Sequence, residues 1–184
     1  MSDNPKAHAR DDAPVATSKD AKGSRQLLAS SVTINRPANE IYAFFRDFAQ
    51  LPQFMENIVH IDVLDDKRSH WVVEGPAGNR YEWHSRIIDE VEGQSLTWQS
   101  EDGSDVTNSG KVTFQSAGAR GTVVTATISY EPPGGVVGKL VAKLFQREPS
   151  IQTRRDLRRL KQLLETGEIA TAARNAAIFA EQEG

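Results

Sequence analysis

Between Val59 and Glu131 the apolar positions recur with a period near two, the signature of strands buried on one face. Val59, Ile61 and Val63 alternate with His60 and Asp62. In Arg80 to Val91, Tyr81, Trp83, Ser85 and Ile87 share one face while Glu82, His84, Arg86 and Ile88 share the other. Turn residues separate the runs: Asp65-Asp66, Gly75-Pro76-Ala77-Gly78-Asn79, Gly93, Asp102-Gly103, Ala117-Gly118 and Gly121. With the half-buried run Leu27 to Asn35 ahead of them, these segments predict six to seven strands joined by short, antiparallel connections.

Two stretches break that period. After Asn35-Arg36-Pro37, the residues Ile41, Phe44, Phe45 and Phe48 stand three and four apart, which predicts a short amphipathic helix over Ala38 to Phe48. A second short helix is expected over Leu51 to Ile58. Beyond Pro132-Pro133-Gly134-Gly135 the period returns to 3.6 through Val136, Val137, Leu140, Val141, Leu144 and Phe145, and continues in Ile151, Leu157, Leu160 and Leu164. Pro149 suits a first helical turn and Gly167 a left-handed helix end. The expectation is one long element, Val136 to Leu164, kinked at Pro149. A single long helix after a run of strands is most simply buried against one face of their sheet, an arrangement that leaves room for a cavity between them.

The ends are different. Residues 1–26 carry few large apolar side chains and are expected to form a disordered arm, and 167–184 a flexible or helical tail, leaving 27–166 as one domain. The chain has 184 residues, a formal net charge of -3 and no cysteine, which removes disulfides, thiol nucleophiles and thiolate metal sites. With no apolar run long enough to cross a bilayer and a polar start, a cytoplasmic protein is expected. The acidic balance argues against nucleic acid as a partner. From Lys139 to Lys161, however, eight basic residues stand against two acidic ones. That basic face, with Arg154, Arg155, Arg158 and Arg159 at its centre, suggests an anionic membrane surface or an acidic partner if it is more than a solvated helix face.

The segment from Asn35-Arg36-Pro37-Ala38-Asn39-Glu40-Ile41-Tyr42-Ala43-Phe44-Phe45 into Phe48-Ala49-Gln50-Leu51-Pro52-Gln53-Phe54-Met55 resembles the START and Bet v 1 type (SRPBCC) superfamily. Its nearest likeness is the polyketide cyclase/dehydrase and coenzyme Q-binding branch. Arg68-Ser69-His70-Trp71, Tyr81-Glu82-Trp83, Leu96-Thr97-Trp98 and Asp156-Leu157-Arg158-Arg159-Leu160-Lys161 extend the likeness over most of the chain. The resemblance implies an α+β helix-grip fold: an antiparallel sheet curved around a long C-terminal helix, with two short helices after the first strand. It also implies a cavity for a small hydrophobic molecule such as a lipid, a quinone or a polyketide-like compound, with no cofactor, and in some members cyclisation of a polyketide.

Candidate residues follow from both readings. Phe54, Met55, Trp83, Trp98, Phe114, Tyr130, Leu144 and Leu157 are expected to line the cavity. Glu82 and His84 are the candidate proton-transfer groups of a cyclase or dehydratase, provided they face inward. His60, His70 and His84 lie on three separate expected strands without the short spacing of known metal motifs, and no metal set is expected of them. Gly134-Gly135-Val136-Val137-Gly138-Lys139-Leu140 is one residue short of a phosphate-binding loop and has Leu140 where that loop needs Ser or Thr.

Overall fold

Pro37 ends the first long strand and opens the first helix. Its backbone is extended (φ -62°, ψ 147°), and its carbonyl accepts the N–H of Ile41 at 3.2 Å. The structure, a computed structural model, describes residues 16–19, 26–74, 78, 80–104, 106–131 and 149–169. In chain order these are β1 (Ala16–Lys19), β2 (Gln26–Ile34), α1 (Ala38–Arg46), a 3-10 helix (Phe48–Gln53), β3 (Ile58–Val63), β4 (Arg68–Glu74), β5 (Arg80–Val91), β6 (Ser95–Ser100), β7 (Thr107–Ser116), β8 (Thr122–Glu131) and α2 (Pro149–Thr166).

The expected face of the first helix is observed in part: Ile41 and Phe45 are buried and Phe44 half-buried, Tyr42 is buried beside them, and Glu40 lies in the first turn, but the helix ends at Arg46 and Phe48 is buried from the 3-10 helix that follows. The expected second helix is displaced toward the N-terminus. Asp47 accepts the N–H of Ala49 at 3.2 Å and starts the 3-10 helix, whereas Pro52, lying inside it, has no N–H to extend a regular α-helix. Leu51 and Phe54 still point into the core. The chain leaves the helical path after Phe54 and enters β3 at Ile58.

Among the described residues the strands form one antiparallel sheet in the order β1-β2-β8-β7-β6-β5-β4-β3. The strands β3 to β8 form a meander, and β2 closes against β8 over nine residue pairs, Gln26↔Tyr130 to Ile34↔Thr122. The expected six to seven strands are β2 to β8. In the segment expected to be a disordered arm, β1 adds an eighth strand by pairing Ala16 to Lys19 with Ala29 to Gln26. A composition poor in apolar residues predicts little burial, but it leaves the backbone free to pair with the edge of β2.

The helix α2 lies against β2 at the inner face of the sheet. Leu157 and Leu160 join Val32, Ile34, Ile41, Phe45, Phe54, Val112, Phe114 and Val124 in one core cluster, each side chain worth roughly 1.5–3 kcal/mol of burial. Lys161 Nζ donates to the Thr33 carbonyl at 2.7 Å, and Glu165 accepts the N–H of Asn35 at 2.7 Å, so the end of α2 is fastened to the β2–α1 junction. Gly167, at φ +76°, closes the helix by donating to Leu163 O at 2.9 Å, as its position predicted. The first half of the expected kinked element, 136–148, lies outside the described residues, as does the Gly134–Leu140 loop.

Candidate functional site

Strand register decides which side chains share the inner face with the core. The pairs Ser69↔Ser85 and Trp71↔Trp83 join β4 to β5, and Ser85↔Ser100 and Ile87↔Trp98 join β5 to β6. Ile87 belongs to the main core cluster, so this row of tryptophans and serines lies on the inner, concave face. The alternation read for β5 is therefore correct, with Tyr81, Trp83, Ser85 and Ile87 inward.

This part of the inner face is an aromatic wall with polar inserts. The rings of Trp71 and Trp83 stack at 5.9 Å with 15° between their planes, and Phe48 meets Trp71 edge-on at 5.9 Å. Trp71 Nε1 donates to the fully buried Ser69 hydroxyl at 2.8 Å, and Ser85 Oγ donates to the Gln99 carbonyl at 3.3 Å. Trp98 lies across Gly110, its register partner on β7. A Cβ built on Gly110 would stand 2.2 Å from the Trp98 ring, so only glycine lets the indole lie flat there. All three tryptophans remain half-buried.

The expected lining residues divide. Met55, Trp83 and Trp98 are half-buried at this wall or the margin of the core, whereas Phe54, Phe114 and Leu157 are buried in the packed core and offer no free surface. The side chain of Tyr130 and the whole of Leu144 lie outside the described residues. Sequence reasoning missed Ser69, Ser85 and Gly110 as parts of the wall. Ser85 had been placed on the Trp83 face, but the alternation gave no sign that its hydroxyl would be buried.

Glu82 and His84 do not join the wall. Both point from the opposite, outer face of β5 into solvent, so the condition set for a proton-transfer role, that they face inward, is not met. The outer row holds Asp62, His70 and His84 side by side on β3, β4 and β5, with the His70 and His84 rings 4.9 Å apart. His70, Glu82, His84, Glu101 and Asp102 border a cleft of about 220 Å³ there. The three histidines that looked scattered along the sequence lie on adjacent strands.

Two electrostatic clusters hold the helices that frame the inner face. On α2, burial pushes the Asp156 carboxyl up to about 7, against hydrogen bonds from Gln152 Nε2 (2.9 Å) and the Glu56 N–H that favour its charged form. On α1, burial and the hydrogen bond to Glu90 push the Tyr42 phenol up to about 12. Burial alone would raise the Glu90 carboxyl, but hydrogen bonds from Tyr42 and from Arg46 Nε (2.6 Å) outweigh it and hold it below the usual range.

Part of the basic run is engaged by groups of this chain. Arg159 is paired with Glu56, Arg155 lies 3.8 Å from the same carboxylate, and Lys161 is engaged by Thr33 and Glu165. Lys139, Lys143 and Arg147 lie outside the described residues.

The family described as polyketide cyclase / dehydrase and lipid transport matches residues 34–158. Among solved structures, the protein DR_A0006 of Deinococcus radiodurans is 38% identical, with a TM-score of 0.62, 77% of this chain and 99% of that one being covered. The Zhui aromatase/cyclase of Streptomyces sp. R1128 is 14% identical (TM-score 0.62, 79% and 99% covered). A START superfamily protein of Mycobacterium smegmatis is 16% identical (TM-score 0.52, 71% and 97% covered). These last two likenesses establish the fold, α+β helix-grip, as the strand and helix order predicted. No curated protein matches the chain. Among the described residues no helix is long and apolar enough to cross a membrane. A sheet in which β2 closes on β8, a C-terminal helix fastened across it and a family match over two thirds of the sequence agree, and the chain belongs to the polyketide cyclase / dehydrase and lipid transport family.

Proposed function

We propose that this protein binds a small hydrophobic molecule, a lipid, quinone or polyketide-like compound, against the inner face of its sheet. The observation that carries the reading is the set of half-buried tryptophans Trp71, Trp83 and Trp98 on the core face, interrupted by the buried hydroxyls of Ser69 and Ser85. Apolar rings with a few fixed polar groups are the usual wall of a small-molecule site. The family match supports the same class of ligand. In this reading 27–166 is the binding unit, its site is cytoplasmic, and the contact surface comprises Trp71, Trp83, Trp98 and Met55, with Tyr130 and Leu144 as further candidates.

The enzymatic alternative, a cyclase or dehydratase, keeps the support of the family but loses the two groups first assigned to it, since Glu82 and His84 lie on the outer face. The adaptor alternative, in which the basic helix meets an anionic membrane, is weakened by the internal engagement of Arg159 and Lys161.

Native mass spectrometry of the purified chain, with titrations of a fatty acid, a quinone and an aromatic polyketide followed by tryptophan fluorescence, tests the proposal. The expected result is saturable quenching by one ligand class and a loss of affinity of about tenfold or more in Trp83→Ala, for an aromatic contact worth more than about 1.4 kcal/mol. Absence of any bound or binding lipophile would overturn it.

A further inference from the structure

On the outer face of β3 and β4, one carboxylate stands between two imidazoles at the separations that a transition metal imposes on neighbouring ligands. His60 and Asp62 are two residues apart on β3 and leave the sheet on the same side, and Asp62 is the register partner of His70 on β4. Asp62 Oδ2 lies 3.5 Å from His60 Nε2 and 3.4 Å from His70 Nδ1. These gaps are long for charge-assisted hydrogen bonds, which close to about 2.7–2.9 Å. They match a tetrahedral metal site, where bonds of about 2.0–2.1 Å put neighbouring donors about 3.4 Å apart. A ligand atom of each residue lies within 4.8 Å of the other two, and the remaining imidazole–imidazole edge shortens by rotation of His60, which is 50% exposed.

One further observation points the same way. His70 Nε2 faces Glu82 Oε2 at 3.4 Å. With Nδ1 on a metal, the Nε2–H would donate to this carboxylate, the arrangement that commonly fixes the tautomer and orientation of a metal-bound histidine.

We propose that His60, Asp62 and His70 form a site for a divalent transition cation, supported by Glu82 and open in its fourth position toward solvent and the adjacent cleft. Two imidazoles and one carboxylate suit Zn²⁺, Ni²⁺ or Cu²⁺ and disfavour Mg²⁺ and Ca²⁺, which prefer all-oxygen sites. The bound cation would tie β3, one of the two edge strands among the described residues, to β4. This site is independent of the inner face, and either assignment can fail without the other.

Tag-free full-length chain, stripped with a chelator, is titrated with Zn²⁺ by calorimetry and with Co²⁺ by visible absorption. The expected result is one equivalent bound, an intense tetrahedral Co²⁺ band and a higher melting temperature with Zn²⁺. His70→Ala and His60→Ala are expected to weaken binding by about a hundredfold or more, and Glu82→Gln by about 10- to 100-fold. His84→Ala and His8→Ala leave it unchanged. Thermal melts without metal verify that each variant is folded. The proposal is overturned if the wild type shows no saturable binding, if folded His60→Ala and His70→Ala bind as the wild type does, or if His8→Ala abolishes binding.

Discussion

Beneath α1 and α2 the inner face of the sheet is sealed by Ile34, Ile41, Val112, Val124 and Leu160, all without exposed surface, whereas toward β4 and β5 the same face ends in three half-buried tryptophans beside buried serines. The sealed half is mainly aliphatic, with Phe45, Phe54 and Phe114 meeting edge-on or tilted at 6.1–6.2 Å, and its central side chains are fully buried. The other half stacks flat rings and leaves part of their area uncovered. The first half supplies cohesion. The second holds apolar surface that water solvates poorly and that a ligand would cover.

The largest test of this contrast sits in the sealed half. Leu160→Ala should cost about 2–5 kcal/mol in urea unfolding, because the cavity it opens is surrounded by fixed neighbours. Trp83→Ala, at the other end, should cost less stability than Leu160→Ala despite removing more atoms. Equal losses would erase the distinction between the halves.

Next in size is Asp156, a carboxyl within the sealed half. Its folded-state value, near 7, lies above the unfolded one of 3.8, so protonation favours the folded chain. That contribution is complete below about pH 4 and is lost as the pH rises through 7. Asp156→Asn should therefore be more stable than the wild type by roughly 2–4 kcal/mol at pH 8, with the advantage shrinking toward pH 4. Thermal melts across that range decide it, and a pH-independent difference would refute the assignment. The smallest expected effect is Gly110→Ala, at about 1–3 kcal/mol. The added methyl must displace the Trp98 ring, so a shifted tryptophan emission should accompany it, and unchanged emission would mean that the wall is more plastic than its geometry suggests.

Much of the fold was legible because alternation and helical period are local. Ile41 and Phe45 on one side of α1, Tyr81 and Ile87 on one side of β5, and Gly167 at the end of α2 all follow from spacing or backbone preference. The site was legible only in part. Trp83 and Trp98 were recognised as large aromatics on strands, but Phe114 has the same signature and is simply core, as are Phe54 and Leu157. Burial depends on what packs above a residue, and that partner is far away in the chain.

Sequence by itself determined the type and order of the elements, the two faces of each strand and, through the family likeness, the fold that joins them. Tertiary structure decided which face became the interior and which strands became neighbours. Glu82 and His84 were assigned correctly to one face, yet only closure of β2 on β8 and docking of α2 by Lys161 and Glu165 made that face the outer one. Likewise His60, Asp62 and His70 come together through the register of β3 on β4. A period of two specifies alternation but carries no information about register.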